Sequence, residues 1–509
     1  MRSAPDSAAR EMLQIKPART SVGHWSFIVA ALLAAFYLAT SVYVASHHLL
    51  WLDELFTVLI ARLPGWRAIW RLLAESADGL PPTYYLVVRV FDDLFGHTDV
   101  AARLPSALGM AVGLLLTFDC ARRLTDGLHG LIAFSLLTCS SLPWYGYDAR
   151  SYALYFMLAA LALWVWTHTR DASRLSAVLF GVVLFLSITM HYYAVLCLVP
   201  YAVWEVLNWK PWRLPSVKMM GGLLGVLCAM VVLWGPIQGA RRQVSPGFFL
   251  TPSPRLLLVP FSSLFPEGLF PEGLFLMAMG MVWIAVVAWR GSIIPLDPMQ
   301  PGERVGWFFI FIPLAGYVLG KITHTFVPRY FICTLPGVAV AVSCWLWRHF
   351  RETWRVPAGI LLLLVTWGSA RQVWLTRNPG EASAPGFDSL VQQVLGWEDP
   401  VRNDGKQFLA TDDVGVYLAL RRYSTHPDRY TFLVVGGMGR IARGAKALAR
   451  YYPLQVWTLE DLKKHARETA LIVPQPGTMD ALKQQGFQSR TRFPIKPKFA
   501  QLPEVVYLE

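Results

Sequence analysis

The chain is organised around long apolar segments, each close to the length that a helix needs to cross a lipid bilayer. The first, WSFIVAALLAAFYLATSVYVAS, occupies residues 25–46 and carries no charged side chain. Since roughly 20 apolar residues span the hydrocarbon core as a helix, the sequence predicts about 11 spans, and up to 13. The predicted spans lie near residues 25–46, 102–123, 128–143, 150–169, 174–190, 192–209, 217–236, 273–290, 306–321, 327–347 and 356–374.

Composition agrees with a polytopic membrane protein. Only 16% of the residues are charged and 55% are hydrophobic, whereas a soluble domain is nearer 25% charged. The net charge of +13 does not require a nucleic-acid partner, because Lys and Arg gather in the cytoplasmic loops of membrane proteins. The six cysteines have no CxxC spacing, so we interpret them as buried small hydrophobic residues rather than metal ligands or a disulfide framework.

The basic residues also predict the orientation. The connections ARRLTDG, HTRDASR, NWKPWRLPSVK and WRHFRETWR are rich in Arg and Lys and fall on one side of the membrane, which the positive-inside rule assigns to the cytoplasm. The N-terminal tail, 1–24, is then cytoplasmic, and 25–46 is an uncleaved first span. The large first loop, 47–101, and the polar tail, 376–509, fall on the outer side. We therefore predict a transmembrane domain over 25–375.

Two short segments of the first outer loop leave alternatives open. The segment PPTYYLVVRVFDDLF, 81–95, is either a further span or a helix that lies in the membrane interface. Upstream, Trp66, Ile69, Trp70 and Leu73 recur at helical spacing. Tryptophans on an apolar face suit an interfacial helix, but the same pattern is typical of a helix packed on the protein.

The tail differs in composition from the rest of the chain. KQFLATDD, RYTFLVV and TALIVPQ have the pattern of strands. TLEDLKKHARE, which lies before TALIVPQ, and GTMDALKQQG, which lies after it, have the pattern of helices. The sequence therefore predicts a soluble α/β domain over 376–509, on the outer face.

The predicted topology brings unusual polar residues to the same outer side. An ionised residue at membrane depth costs a few kcal/mol, about 3 on insertion scales, so such residues are usually paired or functional. Carboxylates can take a proton from an attacking hydroxyl or amine, and Arg and Lys can stabilise a departing phosphate. Nucleotide sugars are scarce outside the cytoplasm, so a sugar donor anchored in the lipid fits such a site. The residues that share this side are Asp53, Glu54, Asp78, Asp148, Arg150, His191, Lys321 and Arg329.

Several stretches resemble one family of membrane glycosyltransferases. WLDELFT, DGLPPTYYLVVRVFDDLFGHTDVAARLPSALGMAVGLL, YGYDARSYALYFMLAALAL, MHYYAVLCLVP and VPRYFICTLPGVAV occur in this order. In order and spacing they resemble the protein mannosyltransferase-like, GT-C class enzymes, which include bacterial family 39 and the aminoarabinose transferase that acts on lipid A. The resemblance covers roughly residues 25–345, whereas the tail adds little to it.

The resemblance implies many transmembrane helices, an outward-facing active site and roles for particular residues. Among the catalytic residues, Asp53 would be the general base and Glu54 beside it would position the acceptor or the base. Arg329 would lie near the donor phosphate. The family's HPPLYY segment is LPPTYY here, so Leu80 replaces its His, and Asp78 is a candidate to compensate. The full set of implied substrate-binding residues is Asp78, Tyr84, Tyr85, Arg103, Arg150, Tyr152, His191, Lys321, Arg329 and Tyr330.

The family resemblance predicts an inverting transfer of a hexosyl or pentosyl group from a polyprenyl phosphate. The expected acceptor is a lipid, a glycan or a protein. The expected location is the inner membrane of a bacterium, and lipopolysaccharide is among the candidate products. The sequence identifies no particular cofactor and leaves a divalent metal open, with Asp78 and His191 as candidate ligands. The alternatives are a transporter or lipid flippase, which predicts mid-span charges and inverted repeats, and a scaffold without catalysis.

Overall fold

The computed structural model describes residues 22–169, 173–209, 214–243, 299–350, 353–381, 386–396, 405–435, 440–472, 476–494 and 504–508. Within them the chain is mainly helical, with one sheet near its C-terminus. The helices are α1 (Val22–Ala45), α2 (Leu52–Ala61), α3 (Trp66–Ala74), α4 (Pro82–Phe95), α5 (Asp99–Leu124), α6 (Gly127–Cys139), α7 (Tyr152–His168), α8 (Arg174–Met190), α9 (Val199–Leu207), α10 (Val217–Val232), α11 (Trp234–Gln243), α12 (Pro301–Phe308), α13 (Ile312–Thr323), α14 (Leu335–Phe350), α15 (Arg355–Arg377), α16 (Phe387–Leu395), α17 (Val414–Tyr423), α18 (Arg440–Leu448), α19 (Leu459–His465) and α20 (Pro476–Gln484). The strands are β1 (Phe408–Thr411), β2 (Tyr430–Leu433), β3 (Val456–Trp457), β4 (Thr469–Ile472), β5 (Ser489–Pro494) and β6 (Glu504–Leu508).

The predicted spans are helical wherever they fall within the described residues, and the span at 273–290 lies outside them. Five helical runs are long and apolar enough to cross a membrane, or six if α10 and α11, bent by 67°, form one broken span. The remaining apolar helices have 10–17 residues and reach roughly 15–26 Å, less than the roughly 30 Å of the hydrocarbon core. The chain is therefore a multi-pass membrane protein, but length alone supports fewer complete spans than predicted.

Helices α8 and α10 lie unusually close together because small residues line their contact. A side chain on Gly221 would meet the carbonyl oxygen of Ala177 at 2.2 Å, and one on Gly225 would meet that of Gly181 at 2.1 Å. Such small-residue stripes let backbones approach in membranes, where packing drives helix association.

The structure decides between the alternatives for the first outer loop. Helix α4 has 14 residues and reaches roughly 21 Å, too short to cross the bilayer. It therefore lies against the protein rather than spanning the membrane. The apolar face of α3 is buried through Ile69, Leu72 and Leu73, while Trp66 stays 60% exposed. Helix α3 is thus packed on the protein and still presents an aromatic side chain outward.

The C-terminal part forms the α/β structure that the strand and helix patterns predict. Its sheet has the strand order β3-β2-β1-β4-β6-β5. Strands β3, β2, β1 and β4 are parallel, and β6 pairs antiparallel with both β4 and β5. Every residue of β2 and β4 is buried, as expected for the centre of a sheet covered by helices on both faces. The boundary predicted at residue 376 remains a prediction.

The first outer loop and the tail share one hydrophobic core. Leu55 and Phe56 of α2 belong to the same buried cluster as Val414 and Tyr417 of α17. The two parts approach closely at Gly415, where a side chain would meet Cβ of Leu52 at 3.1 Å, and at Gly444, where one would meet Cε1 of Phe56 at 2.8 Å. The tail is therefore packed directly on the helix that carries the acidic pair.

Candidate active site

The acidic pair occupies the first turn of α2. The short turn after α1 ends at Trp51, the N-cap of α2, and Asp53 and Glu54 follow at once. An Oε2 atom of Glu54 accepts a hydrogen bond from the backbone N–H of Trp51 at 3.2 Å. Carboxylates are favoured at this end of a helix because its unpaired N–H groups carry partial positive charge.

Glu54 forms a fully buried ion pair with Arg103 of α5, and neither side chain is exposed. Nε of Arg103 donates to Oε1 at 2.7 Å and Nη2 donates to Oε2 at 2.6 Å. The backbone N–H of Ala149 donates to Oε1 at 2.6 Å. Both carboxylate oxygens of Glu54 therefore already accept hydrogen bonds from the protein. The carboxylate is placed to support the loop rather than to contact a substrate.

Arg103 also holds the turn between α1 and α2. Its guanidinium donates to the carbonyl oxygens of Ala45, His48 and Leu49 at 2.8, 2.9 and 2.8 Å. A rigid, five-donor fork suits this task better than any other side chain. The residue predicted to bind substrate is therefore a buried support of the loop.

Asp53 lies in a different environment from its neighbour. Its side chain is 26% exposed and sits between two guanidinium groups. Its Oδ2 is 3.5 Å from Nη2 of Arg329 and 3.9 Å from Nη2 of Arg150. Both separations exceed an ordinary N–H···O hydrogen bond, so Asp53 is held by charge while its oxygens stay accessible to a proton donor.

Arg150 connects the acidic pair to Asp78. Its Nη1 donates to Oδ2 of Asp78 at 2.9 Å and to the carbonyl oxygen of Asp53 at 3.2 Å. Tyr85 donates to the same Oδ2 at 2.7 Å, and the N–H of Gly79 donates to Oδ1 at 2.6 Å. Asp78 therefore anchors Arg150. This role is separate from that of the family's His, which Leu80 replaces.

The other predicted residue of that segment, Leu80, is buried in the hydrophobic cluster of the outer loop. Within the described chain no group of three His, Cys, Asp or Glu side chains could hold a metal ion. The oxygens of Asp78 already have the three partners given above. Asp78, one of the two candidate metal ligands, is therefore already occupied by protein donors.

An aromatic wall lies beside the two guanidiniums. Cζ of Arg329 is 5.5 Å from the ring centre of Tyr152, within cation–π range. The ring of His191 lies 5.7 Å from that of Tyr152 and 4.6 Å from that of Tyr330. The predicted residues 152, 191, 329 and 330 thus come together from three separate segments.

Three donors at this site have no partner among the described residues although they are buried. They are Nε of Arg150, Nε of Arg329 and Nε2 of His191. Nδ1 of His191 accepts from the N–H of Tyr193 at 3.3 Å, which assigns the imidazole proton to Nε2. Buried donors are normally paired, so these three are available to an oxygen-rich ligand.

Two predicted residues lie elsewhere. Lys321 is exposed on α13 and its Nζ lies 5.4 Å from the ring centre of Tyr317. Tyr84 is fully buried, and its hydroxyl is 2.8 Å from Oγ of Ser106. The exposed position of Lys321 on its helix could not be predicted from the outer-side topology alone.

Asp148 was placed on the outer side by topology but not among the predicted site residues. It is 8% exposed, and its Oδ1 has no hydrogen-bond partner in the described chain. The pKa of Asp148 is raised to about 8, first by burial and then by the charge of Glu54, against the lowering effect of Arg103. The YDAR stretch was the available signal, because it puts an acid two residues before Arg150.

The pKa of Asp148 predicts a pH-dependent stability. The carboxyl binds a proton in the folded chain below pH about 8, but in the unfolded chain only below about 4. Folding therefore takes up a proton between these values, and the free energy of unfolding falls as the pH rises through this window. Asp148→Asn, which mimics the neutral carboxyl, should flatten this fall in melting temperature. Asp93→Asn, at a residue 62% exposed, is the control, and parallel pH profiles for wild type and Asp148→Asn would contradict the prediction.

Comparison with known proteins agrees with this geometry. Residues 80–234 match the family described as dolichyl-phosphate-mannose-protein mannosyltransferase. The chain is similar to ArnT from Cupriavidus metallidurans bound to undecaprenyl phosphate, with a TM-score of 0.54 and 15% identity over 94% of this chain and 97% of that one. Apo ArnT gives a TM-score of 0.56 and 16% identity over 94% and 96% of the two chains.

A weaker similarity links the chain to the oligosaccharyltransferase AglB from Archaeoglobus fulgidus, in complex with an inhibitory peptide and a dolichol-phosphate. Its TM-score is 0.43 with 12% identity, over 84% of this chain and 64% of that one. No curated protein matches the chain in sequence. The resemblance seen in the sequence is confirmed: the chain resembles the protein mannosyltransferase-like, GT-C class glycosyltransferases, in sequence over residues 80–234 and in fold over nearly its whole length.

Proposed function

We propose that the chain transfers a sugar from a polyprenyl phosphate to an acceptor on the outer face of a bacterial inner membrane. The main support is the position of Asp53, a partly exposed carboxylate 3.5 Å from one guanidinium and 3.9 Å from another. A base and two cations side by side suit a reaction that removes a proton at one point and releases a phosphate at another.

The proposed step is a single displacement at the anomeric carbon. The acceptor oxygen forms a bond to that carbon as its proton passes to Asp53. The bond between the carbon and the phosphate oxygen breaks, and its electron pair leaves with the polyprenyl phosphate. Attack opposite to the leaving group inverts the configuration, as in other one-step sugar displacements.

Arg329 and Arg150 would hold the departing phosphate. Each has a buried Nε without a partner among the described residues, and guanidinium forks match phosphate oxygens in geometry and charge. Undecaprenyl phosphate, the lipid in the ArnT complex, is therefore a suitable binding probe. Nε2 of His191 lies on the same side and would donate to a phosphate or sugar oxygen.

Glu54 takes a positioning role in this proposal, in line with the role that the family resemblance implies for it. Its oxygens are occupied by Arg103, Trp51 and Ala149. The periplasmic side follows from the predicted topology, in which the Arg- and Lys-rich loops face the cytoplasm. The sugar is a hexose or pentose, and the acceptor is a lipid, a glycan or a protein hydroxyl.

Mass spectrometry of envelope lipids and glycans tests the proposal. We expect the deletion strain to lose one sugar mass from an envelope component, and the wild-type gene to restore it. The lost mass then identifies the sugar and its acceptor. A deletion strain in which the sugar is still attached to its acceptor, but confined to the inner leaflet, would indicate a flippase or transporter instead.

A further inference from the structure

The turn that precedes Asp53 is hydrogen-bonded to side chains of the C-terminal part of the chain. The backbone N–H of Leu49 donates to Oδ2 of Asp388 at 3.1 Å. The next N–H, that of Leu50, donates to the hydroxyl of Tyr423 at 2.8 Å. Two consecutive backbone groups, three and four residues before Asp53, therefore depend on side chains more than 300 positions away.

Tyr423 is itself oriented by charged partners. Its hydroxyl accepts from Leu50, so its own proton is free to donate, and it does so to Oδ2 of Asp99 at 2.5 Å. Arg422 binds the other oxygen of Asp99 through two nitrogens. Charge-assisted bonds of this kind are among the stronger ones in proteins, so the tyrosine has one defined position.

The same turn is also hydrogen-bonded to Arg103 of α5. The carbonyl of Leu49 accepts from Arg103 at 2.8 Å while its N–H donates to Asp388. Helix α17, which carries Tyr423, packs on α2 at the contact between Gly415 and Leu52. The turn is thus clamped between α5 and the C-terminal sheet domain, and Asp53 follows immediately.

We propose that Asp388 and Tyr423 are positioning residues for Asp53, and that the C-terminal part of the chain sets the geometry of the catalytic step through them. The inference rests on the proposed function, in which Asp53 is the base. Neither side chain touches Arg150 or Arg329, so their effect is on turnover rather than on binding of the phosphate. Displacement of a reacting group by about 1 Å can cost about 100-fold in rate.

Four variants of the full-length protein test this proposal. Tyr423→Phe and Asp388→Ala each remove one acceptor of the turn, whereas Asp388→Asn keeps an acceptor oxygen at the same place. Tyr452→Phe is the matched control, because its hydroxyl donates to the carbonyl oxygen of Leu59 at 2.6 Å. That bond also joins the C-terminal part to α2, but near the far end of the helix.

The readouts are the rate at which the product mass appears in the envelope at matched protein level, binding of undecaprenyl phosphate to the purified protein in nanodiscs, and its melting temperature. We expect Tyr423→Phe and Asp388→Ala to lower the product rate roughly 10- to 100-fold without weakening lipid binding. Asp388→Asn should recover most of the rate, and Tyr452→Phe should match the wild type.

The inference is overturned if Tyr423→Phe and Asp388→Ala form product as fast as Tyr452→Phe. It is also overturned if rate, lipid binding and melting temperature fall together in all variants, since that pattern reports only lost stability. Asp53→Asn is included in the same set. If Asp53→Asn keeps its activity, the role of Asp53 as the base fails and the inference fails with it, whereas an inactive Asp53→Asn beside fully active tail variants refutes the inference alone.

Discussion

Asp53→Asn should abolish sugar transfer, with a loss of roughly 1,000-fold or more, while the protein folds normally. General bases typically contribute about 100- to 10,000-fold to a rate. Asn keeps the size of the side chain but cannot accept the proton of the acceptor. Folding should be preserved because the carboxylate of Asp53 is 26% exposed and approaches its cations at 3.5 and 3.9 Å, so little stability depends on it.

The measurement is the product mass in the envelope of a deletion strain that carries each variant at matched protein level. Asp53→Glu retains a carboxylate displaced by about one methylene and should keep part of the activity. Asp93→Asn, at an exposed position of α4, is the control for loss of an outer-side acid. Wild-type product levels in Asp53→Asn would show that this carboxylate is not an essential base.

Arg103→Met should prevent the protein from folding stably, which is the largest stability effect that we expect. The substitution leaves the fully buried carboxyl group of Glu54 without its cation. Breaking a buried pair in this way costs about 3–5 kcal/mol, and three carbonyl oxygens of the turn lose their donor as well. Since whole proteins are stable by only about 5–15 kcal/mol, we expect little folded protein.

Yield and melting temperature in detergent measure this effect. Arg123→Met on the same helix is the control, because Arg123 is 50% exposed in its pair with Asp119 and such pairs contribute at most about 1 kcal/mol. The double variant Glu54→Gln with Arg103→Met should recover part of the stability, since it removes the uncompensated charge. Equal melting temperatures for Arg103→Met and Arg123→Met would contradict the buried-pair argument.

Helical segments could be predicted because their signal is local. In a bilayer, an apolar segment such as 25–46 must satisfy its backbone hydrogen bonds internally, which a helix does. The structure has α1 there. The number of complete spans could not be predicted in the same way. The segment 192–209 begins as a 3-10 helix, Tyr192–Leu198, before α9, and nothing in its composition shows that break.

The outer-side topology correctly brought Arg150 and Arg329 close to Asp53, but it could not separate residues on different helix faces. Lys321 lies near the C-terminal end of α13 and is exposed there. The contacts of Arg103 with Glu54 and the turn depend on where α5 meets the turn after α1. Contacts between segments that are far apart in the chain produce no local pattern in a single sequence.

Sequence patterns predicted the membrane class, the helical segments, the α/β character of the tail and an acidic pair in the loop after the first apolar segment. Tertiary structure alone decided which acid of that pair faces the site. Adjacent residues of a helix point about 100° apart, so one of the two must turn inward. Arg103 and the N–H of Ala149 meet Glu54 there, and that leaves Asp53 on the open side, beside Arg329.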